Sequence, residues 1–147
     1  MKLHPLHVSR VAAAAAFAAS VLLATSAHAG DLRVIVDGVN SADGKVMVAM
    51  FDKASEFPSG KRINAQMAPA AKGAVTVEFK GVPPGRYALS AFHDVNGNGR
   101  LDANMVGMPT EPYGASRDAR GKMGPPAFDD AVVTIGAEPM SLTIHLH

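Results

Sequence analysis

Val75-Thr76-Val77-Glu78-Phe79-Lys80-Gly81-Val82-Pro83-Pro84-Gly85-Arg86-Tyr87-Ala88-Leu89-Ser90-Ala91 is the stretch that decides the fold. Val75, Val77 and Phe79 alternate with Thr76, Glu78 and Lys80, the period of a strand with one face buried. Val82-Pro83-Pro84-Gly85 then turns the chain, because proline fixes φ and glycine supplies a backbone that other residues avoid. Tyr87, Leu89 and Ala91 face inward from the strand that follows.

The same grammar extends outward in both directions. Leu32, Val34 and Val36 alternate with Arg33, Ile35 and Asp37, and Ser41-Ala42-Asp43-Gly44 supplies a turn. Lys45 to Asp52 is apolar on both faces, with Val46, Val48 and Met50 on one and Met47, Ala49 and Phe51 on the other, which predicts a central strand covered on both sides. A short strand is expected around Ile63 to Met67. Ala131, Val133 and Ile135 form another, and Leu142, Ile144 and Leu146 alternate through the last. No helical period competes. The spacing predicts an all-β fold, a single antiparallel β-sandwich of immunoglobulin or transthyretin type.

The N-terminal segment stands apart. Lys2 and Arg10 precede an uncharged Ala/Val/Leu-rich run from Val11 to Ala27, and Ala27-His28-Ala29 fits the small-x-small cleavage rule. Residues 1–29 therefore read as a signal peptide and 30–147 as the domain, in a periplasmic or secreted protein. The alternative is an N-terminal membrane anchor, but the run falls short of the roughly 20 apolar residues a span needs. No stable membrane span is expected after cleavage. The chain has no cysteine, so burial, helped or not by an ion, must hold the domain together. Lys2 and Arg10 leave with the signal, so the slight basicity of the whole chain says nothing about nucleic acid. No basic stripe interleaved with aromatics follows. The absence of tryptophan argues against a stacking platform for bases or sugars.

Asp94 to Asp130 is a long Gly/Pro-rich connection carrying Leu101, Met105, Met108, Tyr113, Met123 and Phe128. These spaced apolar residues predict a loop that packs, stays ordered and caps one end of the sandwich. It opens with His93-Asp94-Val95-Asn96-Gly97-Asn98-Gly99-Arg100-Leu101-Asp102, the first part of a calcium-loop pattern. Asp94, Asn96 and Asn98 at alternate positions can converge on one ion. The Arg100 carbonyl would add a ligand, Asp102 could bind directly or through water, Gly99 permits the turn, and Leu101 would anchor the loop in the core. The twelfth position is Met105 instead of a bidentate glutamate, which predicts weak affinity, with Glu111 or Asp118 available to complete the shell. The plainer reading is a tight turn in which the aspartates make local backbone bonds. Both readings stand at this level.

The other polar residues admit blander accounts. His93 suits a transition metal or a general base, or a structural hydrogen bond at a strand end. His145 and His147, two apart, share one strand face and could clip zinc or copper, or simply lie exposed. The methionines invite Cu(I) but fit core filling. Glu111, Arg117, Asp118, Arg120 and Lys122 would form a binding site or a compensating network. No G-x-S-x-G, H-E-x-x-H or phosphate-cradling motif occurs, so no catalytic residues are assigned.

Val82-Pro83-Pro84-Gly85-Arg86-Tyr87-Ala88-Leu89 resembles the turn into a strand of carboxypeptidase-regulatory and other transthyretin-like domains. His93 through Asp102, with Gly107-Met108-Pro109-Thr110-Glu111, Tyr113-Gly114-Ala115-Ser116 and Gly124-Pro125-Pro126-Ala127-Phe128, resembles domain-of-unknown-function family 2141, uncharacterised secreted bacterial proteins. The Asp94–Asp102 spacing is also similar to ion-binding loops of prealbumin-like adhesin domains. The resemblance implies an exported transthyretin-like sandwich and supplies no activity. The function expected is a non-enzymatic binding or structural module with a structural calcium ion and an unknown protein or envelope ligand as partner. The alternatives are a periplasmic Cu/Zn-binding protein using His and Met, and an unrecognised enzyme or carbohydrate-binding domain.

Overall fold

The computed structural model describes residues 29–147. The expected signal peptide lies outside the described residues, apart from Ala29. Eight strands form two sheets packed face to face: β1 (Gly30–Val39), β2 (Lys45–Phe51), β3 (Asn64–Pro69), β4 (Gly73–Val82), β5 (Gly85–Asp94), β6 (Tyr113–Ala115), β7 (Val133–Ile135) and β8 (Met140–His145). One sheet has the order β4-β1-β8. The other runs β3-β2-β5-β6, with β7 also paired to β5. The all-β sandwich expected from the alternation is the fold the chain adopts.

The core lies between the sheets. Leu32, Val34 and Val36 of β1, Val46, Val48 and Met50 of β2, Val75, Val77 and Phe79 of β4, Leu89 and Ala91 of β5 and Ile144 of β8 are buried there. These are the inward-facing sets read from the period of two. Full burial of a Val, Leu, Ile, Phe or Met side chain contributes roughly 1.5–3 kcal/mol, so in a chain without disulfides this face is the main source of stability. The second face of β2 is covered as well. Phe51 stacks edge-on against Phe57 at 5.6 Å, and Phe57 against Phe128 at 6.1 Å, beside a patch of Ala88, Ala115, Ala119 and Ala131.

The Pro-Pro-Gly-x-Tyr turn has a local cause. The Tyr87 hydroxyl donates to the Pro83 carbonyl at 2.9 Å, and a Cβ at Gly85 would sit 3.1–3.2 Å from the Tyr87 ring. The tyrosine closes over a position where a side chain would crowd it.

Several expectations need correction. β8 runs parallel to β1, from Leu32↔Met140 to Asp37↔His145, whereas every other ladder is antiparallel. The chain leaves β7 and crosses to the other sheet beside Gly30, whose Cβ would lie 2.8–3.2 Å from the carbonyls of Gly136, Ala137 and Glu138. It thus enters at the end where β1 begins and must run with it. The short strand expected at Ile63–Met67 is β3, slightly later. The 94–130 connection is not free of regular structure: it holds β6, a 3-10 turn at Ser116–Asp118 and a single helical turn, α1, at Phe128–Ala131. Leu101 does not anchor it, being 37% exposed, and Met105, Met108 and Met123 project into solvent. Met47 and Met50 fill the core as expected; Met67 does not.

β5 is flanked on its outer side by two short strands with a gap between them. β6 pairs with Ser90 to Phe92 and β7 with Gly85 to Tyr87. The gap is closed by the buried Ser116 hydroxyl, which accepts from Leu89 N–H at 3.0 Å and donates to the Ala131 carbonyl. Among the described residues, no helix is long and apolar enough to cross a membrane.

Candidate functional site

The candidate site grows from the end of β5. Asp94, its last residue, pairs across the ladder with Lys45 at the start of β2, and its side chain is fully buried. A buried carboxylate must be compensated. Its two oxygens accept from Asn98 N–H at 3.0 Å and Gly99 N–H at 2.8 Å, and Lys45 Nζ lies 3.8 Å away. The loop therefore wraps around its own first carboxylate. Gly97 and Gly99 make this wrap feasible with φ of 73° and 80°, the left-handed region that favours glycine.

The alternate asparagines repeat the motif. Asn96 Oδ1 accepts from Asn98 N–H at 3.1 Å and Asn98 Oδ1 from Arg100 N–H at 2.8 Å, two successive Asx turns. Their amide nitrogens turn to Asp102. Asn96 Nδ2 donates at 2.6 Å, and Asn98 Nδ2 at 2.9 and 3.0 Å to its two oxygens. Asn96, Asn98 and Asp102 are thus joined through their side chains, while the Asp94 carboxylate meets the loop through the main-chain N–H of Asn98 and Gly99, the local backbone bonds of the turn reading. Arg100 adds its backbone to the turn. Glu111 folds back onto the loop as well, but both its oxygens hold backbone: Val95 N–H at 2.9 Å and Asp102 N–H at 3.0 Å. One mostly buried carboxylate therefore ties the two ends of the 95–102 segment together, and Thr110 N–H adds a bond to the Asp102 carbonyl at 2.8 Å.

The donor set suits a hard cation only in part. Two carboxylates, two amide oxygens and a carbonyl are oxygen ligands of the kind calcium takes. The amide hydrogens on Asp102 and the main-chain N–H groups on Asp94, Asn96 and Asn98 would have to share these oxygens with an ion or give way to it. Among the described residues no three His, Asp or Glu side chains gather to hold a metal, so calcium here depends on Asn96, Asn98 and main-chain oxygen.

His93 is a strut. It shares the inward face of β5 and is fully buried. Its Nε2 lies 2.7 Å from the Asp43 carbonyl, so Nε2 carries the hydrogen, while Nδ1 has no partner. Its backbone N–H donates to the Pro112 carbonyl at 2.9 Å. The β1–β2 turn is thereby fastened to the root of the loop. Gly44 completes this seam: its φ is +67°, and a Cβ there would fall 1.9 Å from the Asp94 carbonyl oxygen.

His145 and His147 go separate ways. Asp118 accepts from both the backbone N–H and the Nδ1 of His145, at 3.0 and 2.9 Å, whereas the His147 ring leans on Tyr113 at 4.6 Å. Burial pushes the Asp118 carboxyl up, but the hydrogen bonds and charge of His145, with Arg120 nearby, outweigh it and hold the carboxyl below its ordinary value. Arg117 and Asp118 both have left-handed backbones, φ 59° and 51°, uncommon for such residues. The network expected among Glu111, Arg117, Asp118, Arg120 and Lys122 does not form. Glu111 serves the loop, Asp118 serves His145, and Arg117 reaches the Asp129 carbonyl at 3.5 Å.

Sequence reasoning missed Lys45 and Ser116, whose roles depend on neighbours far along the chain, and read Gly44 as a turn residue without its close approach to Asp94. It also missed Asn104. Its Oδ1 accepts from Val106 N–H at 3.1 Å and Met108 N–H at 3.0 Å; an asparagine three residues before Gly107 was an available turn signal.

No curated protein and no solved structure matches the chain. A family model described as "Uncharacterized protein conserved in bacteria (DUF2141)" matches residues 34–143, from within β1 to within β8 and across the whole Asp94–Glu111 loop. The chain belongs to the DUF2141 family, as the segments from His93 to Phe128 suggested.

Proposed function

We propose that this is an exported, non-enzymatic transthyretin-like module, periplasmic or secreted, whose Asp94–Asp102 loop takes a low-affinity structural calcium ion and presents a binding surface at one end of the sandwich. The observation that carries the reading is the gathering of Asp94, Asn96, Asn98 and Asp102 around two left-handed glycines. An ion there would add its binding free energy to the stability of the loop. The Ala27-His28-Ala29 site after an apolar run supports export.

Calorimetric titration of the chelator-stripped protein with Ca²⁺ tests the site. Saturable binding of one ion per chain, with a dissociation constant of about 0.1–1 mM, is expected, and Asp102→Ala should abolish it. Asp102 is the informative position because Asp94 is buried and its loss would disturb the loop with or without an ion. Absence of heat at millimolar calcium reduces the segment to a turn.

A transition-metal reading rests on one observation. Asp118 fixes His145 through Nδ1, and Nε2 makes no hydrogen bond among the described residues, the arrangement in which a carboxylate orients a metal-bound histidine. Zn²⁺ or Cu²⁺ binding lost in His145→Ala would favour it.

A further inference from the structure

Beyond the sandwich, residues 103–109 form a small projecting hairpin closed by a bridge between Ala103 and Pro109. Its tip carries Met105, Val106 and Met108, with relative exposures of 105%, 81% and 59%. No charged residue occurs from Ala103 to Thr110. Three large apolar side chains within four positions, all turned to water, mark a contact site.

We propose that this tip inserts into the surface of a lipid bilayer. Two features favour lipid over a protein pocket. The first is the backbone. Asn104 N–H donates to the Met108 carbonyl at 2.8 Å and Gly107 N–H to the Asn104 carbonyl at 2.9 Å, while the Asn104 side chain accepts from Val106 and Met108 N–H. Pro109 has no N–H, so Met105 is the one tip amide without an acceptor among the described residues. A protein partner can satisfy free amides, whereas hydrocarbon cannot. The tip thus satisfies nearly all its own donors, while the Met105, Val106 and Gly107 carbonyls accept no bond among the described residues and must stay at the wet headgroup level, so only the side chains reach the apolar boundary.

The second is charge. Arg100 is exposed at the base of the hairpin, and its guanidinium has no hydrogen-bond or ion-pair partner among the described residues. Neighbouring Asp102 is occupied by Asn96 and Asn98. The arginine is therefore free to meet lipid phosphate, with Leu101 and Val95, each 37% exposed, forming an apolar collar. Insertion would be shallow, as for interfacial anchors, about 5–10 Å into the headgroup–acyl boundary. It does not require an ion in the loop.

The chain lacks tryptophan, so a single reporter can be placed at will. With phosphatidylcholine vesicles, with and without phosphatidylglycerol, Met105→Trp should show a blue-shifted emission quenched by lipids brominated along the acyl chain, and Met123→Trp should show neither. In flotation assays Met105→Asp and Met108→Asp should each weaken vesicle partitioning by about 10- to 100-fold, the scale of losing one buried methionine. Met123→Asp, at another lone exposed methionine, should leave it unchanged. Equal melting temperatures would show that the variants keep the fold. Wild-type protein that floats no better than Met105→Asp and Met108→Asp overturns the proposal. So does a Met105→Trp shift produced by a lipid-free protein fraction and not by vesicles.

Discussion

Replacing Glu111 with alanine should loosen both ends of the calcium-like loop at once. Its carboxylate accepts from Val95 N–H at 2.9 Å and from Asp102 N–H at 3.0 Å. A hydrogen bond to a charged group is worth about 1.5–3 kcal/mol, so two would be worth about 3–6. Val95 is 37% exposed and Asp102 is partly open, so water would recover part of that, leaving about 2–4 kcal/mol. The loss should be local first, because both hydrogen bonds of Glu111 end within the loop. Hydrogen exchange should show deprotection of amides between Val95 and Thr110, with β1, β2 and β4 still protected. Glu111→Gln should fall in between, since one amide oxygen can still accept while the NH₂ group faces the other backbone donor. If Glu111→Ala leaves exchange across 95–110 at the wild-type rate and global stability within about 0.5 kcal/mol, the loop is held by something other than this bridge.

Ser116→Ala should destabilise by about 2–4 kcal/mol in chemical denaturation, because Leu89 N–H and the Ala131 carbonyl both lose their buried partner; a change below about 0.5 kcal/mol would contradict that. Gly44→Ala combines a left-handed backbone with a clash against the Asp94 carbonyl, and should lower the melting temperature by several degrees or prevent accumulation of folded protein. Phe79→Ala, which empties a fully buried site, should cost about 3–5 kcal/mol in denaturation. The Asp118 carboxyl has its pKa lowered in the fold, so its contribution is present above the ordinary value of 3.8 and is lost as pH falls through the lower folded value. Asp118→Asn should therefore destabilise at pH 7 and have little effect once the wild-type carboxyl is protonated. An equal effect at both pH extremes would refute the assignment.

Strand alternation made most of the sandwich legible. Where β1, β2, β4 and β5 are buried on one or both faces, period and burial agree residue by residue, because a register slip would turn a whole apolar face to water. The parallel β1–β8 pairing was not legible. Alternation says which face is inward, but a crossover between sheets sets strand direction. The turn from Asp94 to Asp102 was legible because its members lie within nine residues and its bonds are local. Glu111 was foreseen near the loop, yet its use as a backbone bridge could not be read from spacing. The apolar residues of the long connection misled for a physical reason. Met105 and Met108 look like core on composition, and a hairpin fastened by Asn104 holds them outward instead.

The pairing of β1 with β8 also governs when the molecule can fold. β1 lies between β4 and β8, and its partner Met140 follows Leu32 by more than a hundred residues. The three-stranded sheet cannot close until nearly all of the matched region is present, and contacts of such long sequence separation form slowly. During synthesis β1 to β7 emerge before β8, and arrival of the final strand joins the first and last parts of the domain into one cooperative unit.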